Sequence, residues 1–110
     1  MAQYLLQVAY TSEAWANIVK HPQDRIAVVS KVVQNLGGKV IGGWLSFGDY
    51  DTVAILEMPD NTSAAAFSIA VGAGGACKSV KTTPLLATEE GVEAAKRAAK
   101  SGYVPPQGRG

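Results

Sequence analysis

Tyr4, Leu6, Val8 and Tyr10 alternate with Gln3, Leu5, Gln7, Ala9 and Thr11. A period of two in β-formers predicts a strand over residues 3–11. Ser12 offers an N-cap to a short helical turn through Trp15 and Ile18. Pro22 suits the first position of a longer helix, where its missing N–H has no partner to lose. Asp24 in that first turn favours the positive end of the helix dipole. Ile26, Val29, Val32, Val33 and Leu36 recur at spacings of three and four, one apolar stripe, until Gly37 and Gly38 end it.

Residues 39–47 read as a second strand, with Gly42 and Gly43 predicting a bulge or a close backbone approach. Gly48 and Asp49 form a turn of hairpin type, Gly48 supplying a positive φ. A third strand covers residues 51–58 and stops at Pro59. Asp60, Asn61 and Thr62 offer oxygens to start an Ala-rich helix holding Phe67, Ile69 and Val71, and Gly72, Gly74 and Gly75 terminate it. Residues 77–86 make a fourth strand that tolerates Pro84 best at a sheet edge. A last helix opens at Thr88, Glu89 and Glu90 and presents Ala94, Ala95, Ala98 and Ala99. Residues 1–100 therefore form one domain, and residues 101–110, with two prolines and three glycines, form a tail.

The order β-α-β-β-α-β with an extra C-terminal helix predicts an α+β, ferredoxin-like sandwich on an antiparallel four-stranded sheet. Strands one and three lie in the centre. The helices cover one face only, yet strand three has Val53 and Ile55 on one side and Ala54, Leu56 and Met58 on the other. Strands apolar on both sides are normally buried on both sides. Each large aliphatic side chain left open forgoes about 1.5–3 kcal/mol. A homo-oligomer packed sheet against sheet is the expectation, with Leu56→Asp dispersing it or unfolding the chain. The alternative is that the short turn, the last helix or the tail folds over that face.

Composition narrows the function. The chain has 110 residues, 47% hydrophobic and 17% charged, with net charge +1. That balance argues against nucleic-acid and anionic-membrane partners. One Cys and one His leave no metal or haem ligand set and no internal disulfide, and no cofactor is expected. The N-terminal stretch lacks a charged leader, and no apolar run reaches the roughly 20 residues that span a bilayer. A bacterial or archaeal cytoplasmic protein is the expectation.

Gly48-Asp49-Tyr50-Asp51, continued by Thr52-Val53-Ala54-Ile55-Leu56-Glu57-Met58-Pro59-Asp60, resembles the signature of the GYD domain family. Arg25, Gly37-Gly38-Lys39 and Thr88-Glu89-Glu90 support the resemblance over residues 3–90. The chain departs from it at Gly75-Ala76-Cys77, where a small polar residue is expected after the glycine. The resemblance implies a fold like the dimeric α/β barrels and an assembly of that type, with no established activity.

Four residues are candidates for ligand binding: Tyr50, Asp51, Glu57 and Trp44. Tyr50 follows a tight turn and can present its hydroxyl to a ligand, or serve packing. Asp51 and Glu57 share a side of strand three by period two. A carboxylate among Val53 and Ile55 can act as a general acid or base, or Glu57 pairs with Arg25 or a lysine. Asp51 more simply holds the turn through backbone N–H groups. Trp15, Trp44 and Phe47 read as core before they read as a pocket. His21 reads as an exposed cap residue, and Cys77 as a buried small hydrophobe. Glu93 and Arg97 are spaced as an i,i+4 pair on a solvated helix. Three functions remain: a ligand-binding or sensing protein, a cofactor-free oxygenase or isomerase, and a structural assembly module. The second needs a titratable group inside the pocket.

Overall fold

Residues 1–107 are described by a computed structural model. The elements are β1 (Ala2–Tyr10), α1 (Ser12–Lys20), α2 (Arg25–Asn35), β2 (Lys39–Leu45), β3 (Thr52–Met58), α3 (Asn61–Ala73), β4 (Cys77–Leu85) and α4 (Thr88–Ala99). The four strands form one antiparallel sheet in the order β2-β3-β1-β4. This is the α+β, ferredoxin-like arrangement, with β1 and β3 central. β4 lies at an edge, where the missing N–H of Pro84 disturbs the ladder least. Of the expected tail, residues 101–107 follow α4 without helix or strand. Residues 108–110 lie outside the described residues.

α1, α2 and α3 all pack on one side of the sheet. Tyr4, Leu6 and Val8 of β1 and Ala54, Leu56 and Met58 of β3 point to that side and meet Val33 of α2 and Phe67 of α3 in the core. Leu56 is 1% exposed, so an aspartate there would unfold the subunit rather than disperse an assembly. The other face carries Leu5, Val53 and Ile55, half-buried and outside the core. Neither α1 nor α4 covers it.

Several local expectations need correction. Ser12 is not the α1 cap: Thr11 Oγ1 accepts from Ala14 N–H at 3.1 Å, and α1 runs a full nine residues. Pro22 lies ahead of α2, which begins at Arg25; Asp24 is its N-cap, accepting from Ile26 and Ala27 N–H. Gly72 sits inside α3, and Gly74 caps it. Gly48 has no positive φ, whereas Gly37 (φ 85°) does, where the chain turns from α2 into β2. The six residues 46–51 between β2 and β3 spread the reversal beyond Gly48, and Ser46 N–H to Asp51 C=O closes it at 2.8 Å. The predicted bulge is present. The β2–β3 register slips between Val40 and Gly42, leaving Ile41 unpaired and 47% exposed.

Candidate functional site

Asp51 closes the end of the sheet. Just before β3, its carboxylate accepts from Tyr10 N–H at 2.9 Å and from the Trp15 indole N–H at 3.3 Å. Its own N–H donates to Val8 C=O at 2.7 Å. One residue thus ties β1, α1 and the β2–β3 loop together. Strand alternation would aim Asp51 at the helix-free face. It escapes that rule because it lies one residue outside the regular ladder, where two donors draw the carboxylate toward α1.

Trp15, held over β1 by that bond, meets the Tyr10 ring edge-on, with centroids 5.4 Å apart and planes at 89°. Such a pair adds about 0.5–1.5 kcal/mol to simple burial. Beneath it, the Tyr10 and Thr52 hydroxyls share one hydrogen bond of 2.8 Å. Two hydroxyls hold two protons and spend one on this bond, so the buried pair keeps one donor in hand. On the far wall, a Cβ at Gly43 would fall 2.4 Å from Ile26 Cδ1. Glycine there lets α2 lie close against β2.

These contacts frame a cleft of about 290 Å³. Tyr10, Trp15, Ile18, Ile26, Trp44, Leu45 and Thr52 line it, together with Pro22, Gln23, Asp24 and Arg25 from the approach to α2. The wall is mostly apolar. Among its charged groups, Asp24 is engaged at the α2 cap, and Arg25 Nη1 donates to Gln23 Oε1 at 2.8 Å.

The sequence candidates separate in space. Trp44 is 57% exposed at the cleft and Phe47 is 95% exposed, so neither belongs to the core; Trp15 packs against it. Asp51 braces the cleft from behind. Tyr50 is half-buried, and its C=O accepts from the Ser46 hydroxyl at 2.7 Å. Gly48 and Asp49 are exposed in the loop. Glu57 lies six positions from Asp51, about 20 Å along an extended strand. It pairs with neither Arg25 nor a lysine: its carboxylate accepts from Gln3 Nε2 at 3.3 Å. A separate depression of about 610 Å³ lies at that end, beside Gln3, Pro59, Leu85, Leu86 and Glu90. His21 is exposed at the α1 C-cap. Cys77 is half-buried, and burial pushes its thiol above the ordinary value while the Arg25 charge opposes the shift. Among the described residues, no three His, Cys, Asp or Glu side chains gather in a metal-holding group.

Sequence reasoning did not mark Tyr10, Thr52 and Ile26 as site residues. Each reads as an ordinary strand or helix position, and only the convergence of β1, β3 and α2 makes them neighbours. No described helix is long and apolar enough to cross a membrane. Among families, the model of the GYD domain matches residues 4–95. No curated protein and no solved structure matches the chain.

Proposed function

The chain belongs to the GYD domain family, and we propose that it is a small homo-oligomeric protein that binds a small ligand in the cleft between α1, α2 and the end of β2. The observation that carries this reading is the cleft wall. It combines aromatic and aliphatic side chains with one buried hydroxyl pair that still has a proton to give. Sites of this kind take compact, mostly apolar molecules and orient them by a few polar contacts. The ligand class is an apolar, ring-bearing molecule with one hydrogen-bond acceptor aimed at Tyr10 and Thr52.

Binding is favoured over acid–base catalysis because the carboxylates are spent. Asp51 accepts two N–H bonds outside the lining, Asp24 holds the helix start, and Glu57 lies at the opposite end of its strand.

The oligomer is supported by the uncovered sheet face with Leu5, Val53 and Ile55. Trp44 stands opposite Val53 on that same face, at the rim of the cleft. A neighbouring subunit on this face would therefore complete one wall of the site. The free thiol Cys77 suits a reducing cytoplasm.

The test uses 1-anilinonaphthalene-8-sulfonate as probe. Native protein is expected to enhance its fluorescence at micromolar concentration. Leu45→Asp, an exposed rim position, is expected to weaken binding at least tenfold with an unchanged melting temperature. Equal enhancement by native and Leu45→Asp protein, or none by either, overturns the reading.

A further inference from the structure

Arg25, the first residue of α2, lines two neighbouring clefts. One is the ligand cleft of about 290 Å³. The other, of about 150 Å³, adds Ala14, Asn17 and Ala76 to its wall. Tyr10, Ile18, Gln23 and Arg25 belong to both walls and so form the boundary between the two spaces. Arg25 is half-buried there. Its charge also reaches the thiol of Cys77, the residue after Ala76, so the guanidinium lies on the side of α2 that faces the start of β4.

This cation is poorly matched by its own chain. Of its five side-chain N–H donors, one goes to Gln23 Oε1 at 2.8 Å. Among the described residues its side chain has no other hydrogen-bond acceptor and no ion-pair partner. Arg25 is also the only basic side chain among the described residues that line either cleft. Asp24, the one carboxylate in these walls, does not answer it. Its Oδ1 accepts from Ile26 N–H at 2.9 Å and from Ala27 N–H at 3.4 Å, where the positive end of the α2 dipole holds its charge.

An unpaired cation costs little in water. Beneath an apolar ligand the same cation loses its hydration and gains nothing in return. A neutral ring that fills the cleft therefore covers Arg25 at a cost. A ring that carries an acid group brings the missing counter-charge, and the planar guanidinium meets two anionic oxygens with two parallel N–H donors.

We propose that the cleft takes ring-bearing organic acids and that Arg25 selects them. The ring lies against Trp15, Ile18 and Trp44, and the acid group meets the guanidinium at the boundary of the two clefts. This rests on the ligand reading above and adds to it the charge of the ligand.

The experiment compares two fluorescent probes with one ring system, titrated into the full chain. 1-Anilinonaphthalene-8-sulfonate carries an anionic group, and N-phenyl-1-naphthylamine is the same molecule without it. Arg25→Gln is expected to weaken the sulfonate probe at least tenfold and the neutral probe less than twofold. Retained binding of the neutral probe shows that the variant still forms the cleft. Lys31→Gln, exposed on the same helix and lining neither cleft, removes an equal charge elsewhere and is expected to leave both probes unchanged. The inference is overturned if Arg25→Gln weakens both probes alike, if it weakens neither, or if Lys31→Gln has the same effect. Where Arg25→Gln weakens neither probe but Leu45→Asp weakens both, the charge assignment falls and the ligand reading stands. Where Leu45→Asp also binds both probes as the native chain does, the two fall together.

Discussion

The Asp51 carboxylate and the Trp15 indole N–H, from segments 36 positions apart, meet at 3.3 Å, and the same oxygen accepts from Tyr10 N–H at 2.9 Å. This shared acceptor joins the loop before β3 to the first helix.

Asp51→Ala is expected to destabilise the protein by about 1–3 kcal/mol, because the Tyr10 N–H is left without its partner in a partly buried site. Asp51→Asn retains an acceptor oxygen and should cost less. Urea unfolding measures both. Tryptophan emission of the folded Asp51→Ala protein should also move to the red as Trp15 loosens. Equal stability of the alanine and asparagine variants would remove the hydrogen-bond explanation.

Ile55 and Leu56 are chain neighbours on opposite faces of β3, one on the open side and one at 1% exposure in the core. Leu56→Asp buries an unpaired charge and should leave no cooperative thermal transition. Ile55→Asp should preserve the fold while reducing the sedimentation coefficient, since its side chain meets only what covers the open face. Identical behaviour of the two variants would contradict the one-sided core.

Asp60 caps α3. The Ser63 N–H, and secondarily the Ser63 side chain, hold its carboxyl below the usual 3.8. A lowered folded-state value stabilises the charged form. That contribution is complete above the unfolded value, and it is lost as pH falls through the lower, folded one. Native protein should therefore melt higher than Asp60→Ala at pH 6. The gap should narrow below pH about 3.8 and be smallest at pH 2. A gap independent of pH would show that the cap's charge contributes nothing.

Cys77 packs against the core, and burial raises its thiol's pKa. Thiol reagents attack the thiolate. Labelling by a disulfide reagent at pH 8 should thus be slow in native protein and at least tenfold faster in urea. Rapid labelling of folded protein would place the thiol in an open, charged setting.

Local patterns carried most of the fold. Alternation in Tyr4–Tyr10 and the three-four spacing of Ile26–Leu36 depend only on which side of an element faces water. They are therefore readable from chain neighbours alone. Cap positions slipped where two candidates stood side by side. Thr11 and Ser12 both carry a hydroxyl, and the backbone's turn into α1 selects Thr11. Asp24, likewise, starts α2 where Pro22 had the better local argument. Gly48 carries no positive φ because the reversal is shared over six residues and needs no left-handed backbone at that point.

The candidate site was less legible. Trp44 was visible as a large aromatic, but its position at the cleft rim depends on the slip at Ile41, which resets the side to which every later β2 residue points. The roles of Asp51 and Glu57 parted because alternation holds only within a regular ladder. Asp51 lies just outside it and answers to Tyr10 and Trp15.

Element order, the central pair β1 and β3, and the two-sided apolarity of β3 were determined by the sequence itself, because each follows from short-range periodicity and chain connection. Which face the helices cover, the meeting of Tyr10, Trp15, Thr52 and Ile26, and the outward stance of α4 were decided by tertiary structure alone. Those relations join segments dozens of residues apart, and only packing, hydrogen bonding and the strand register set their distances.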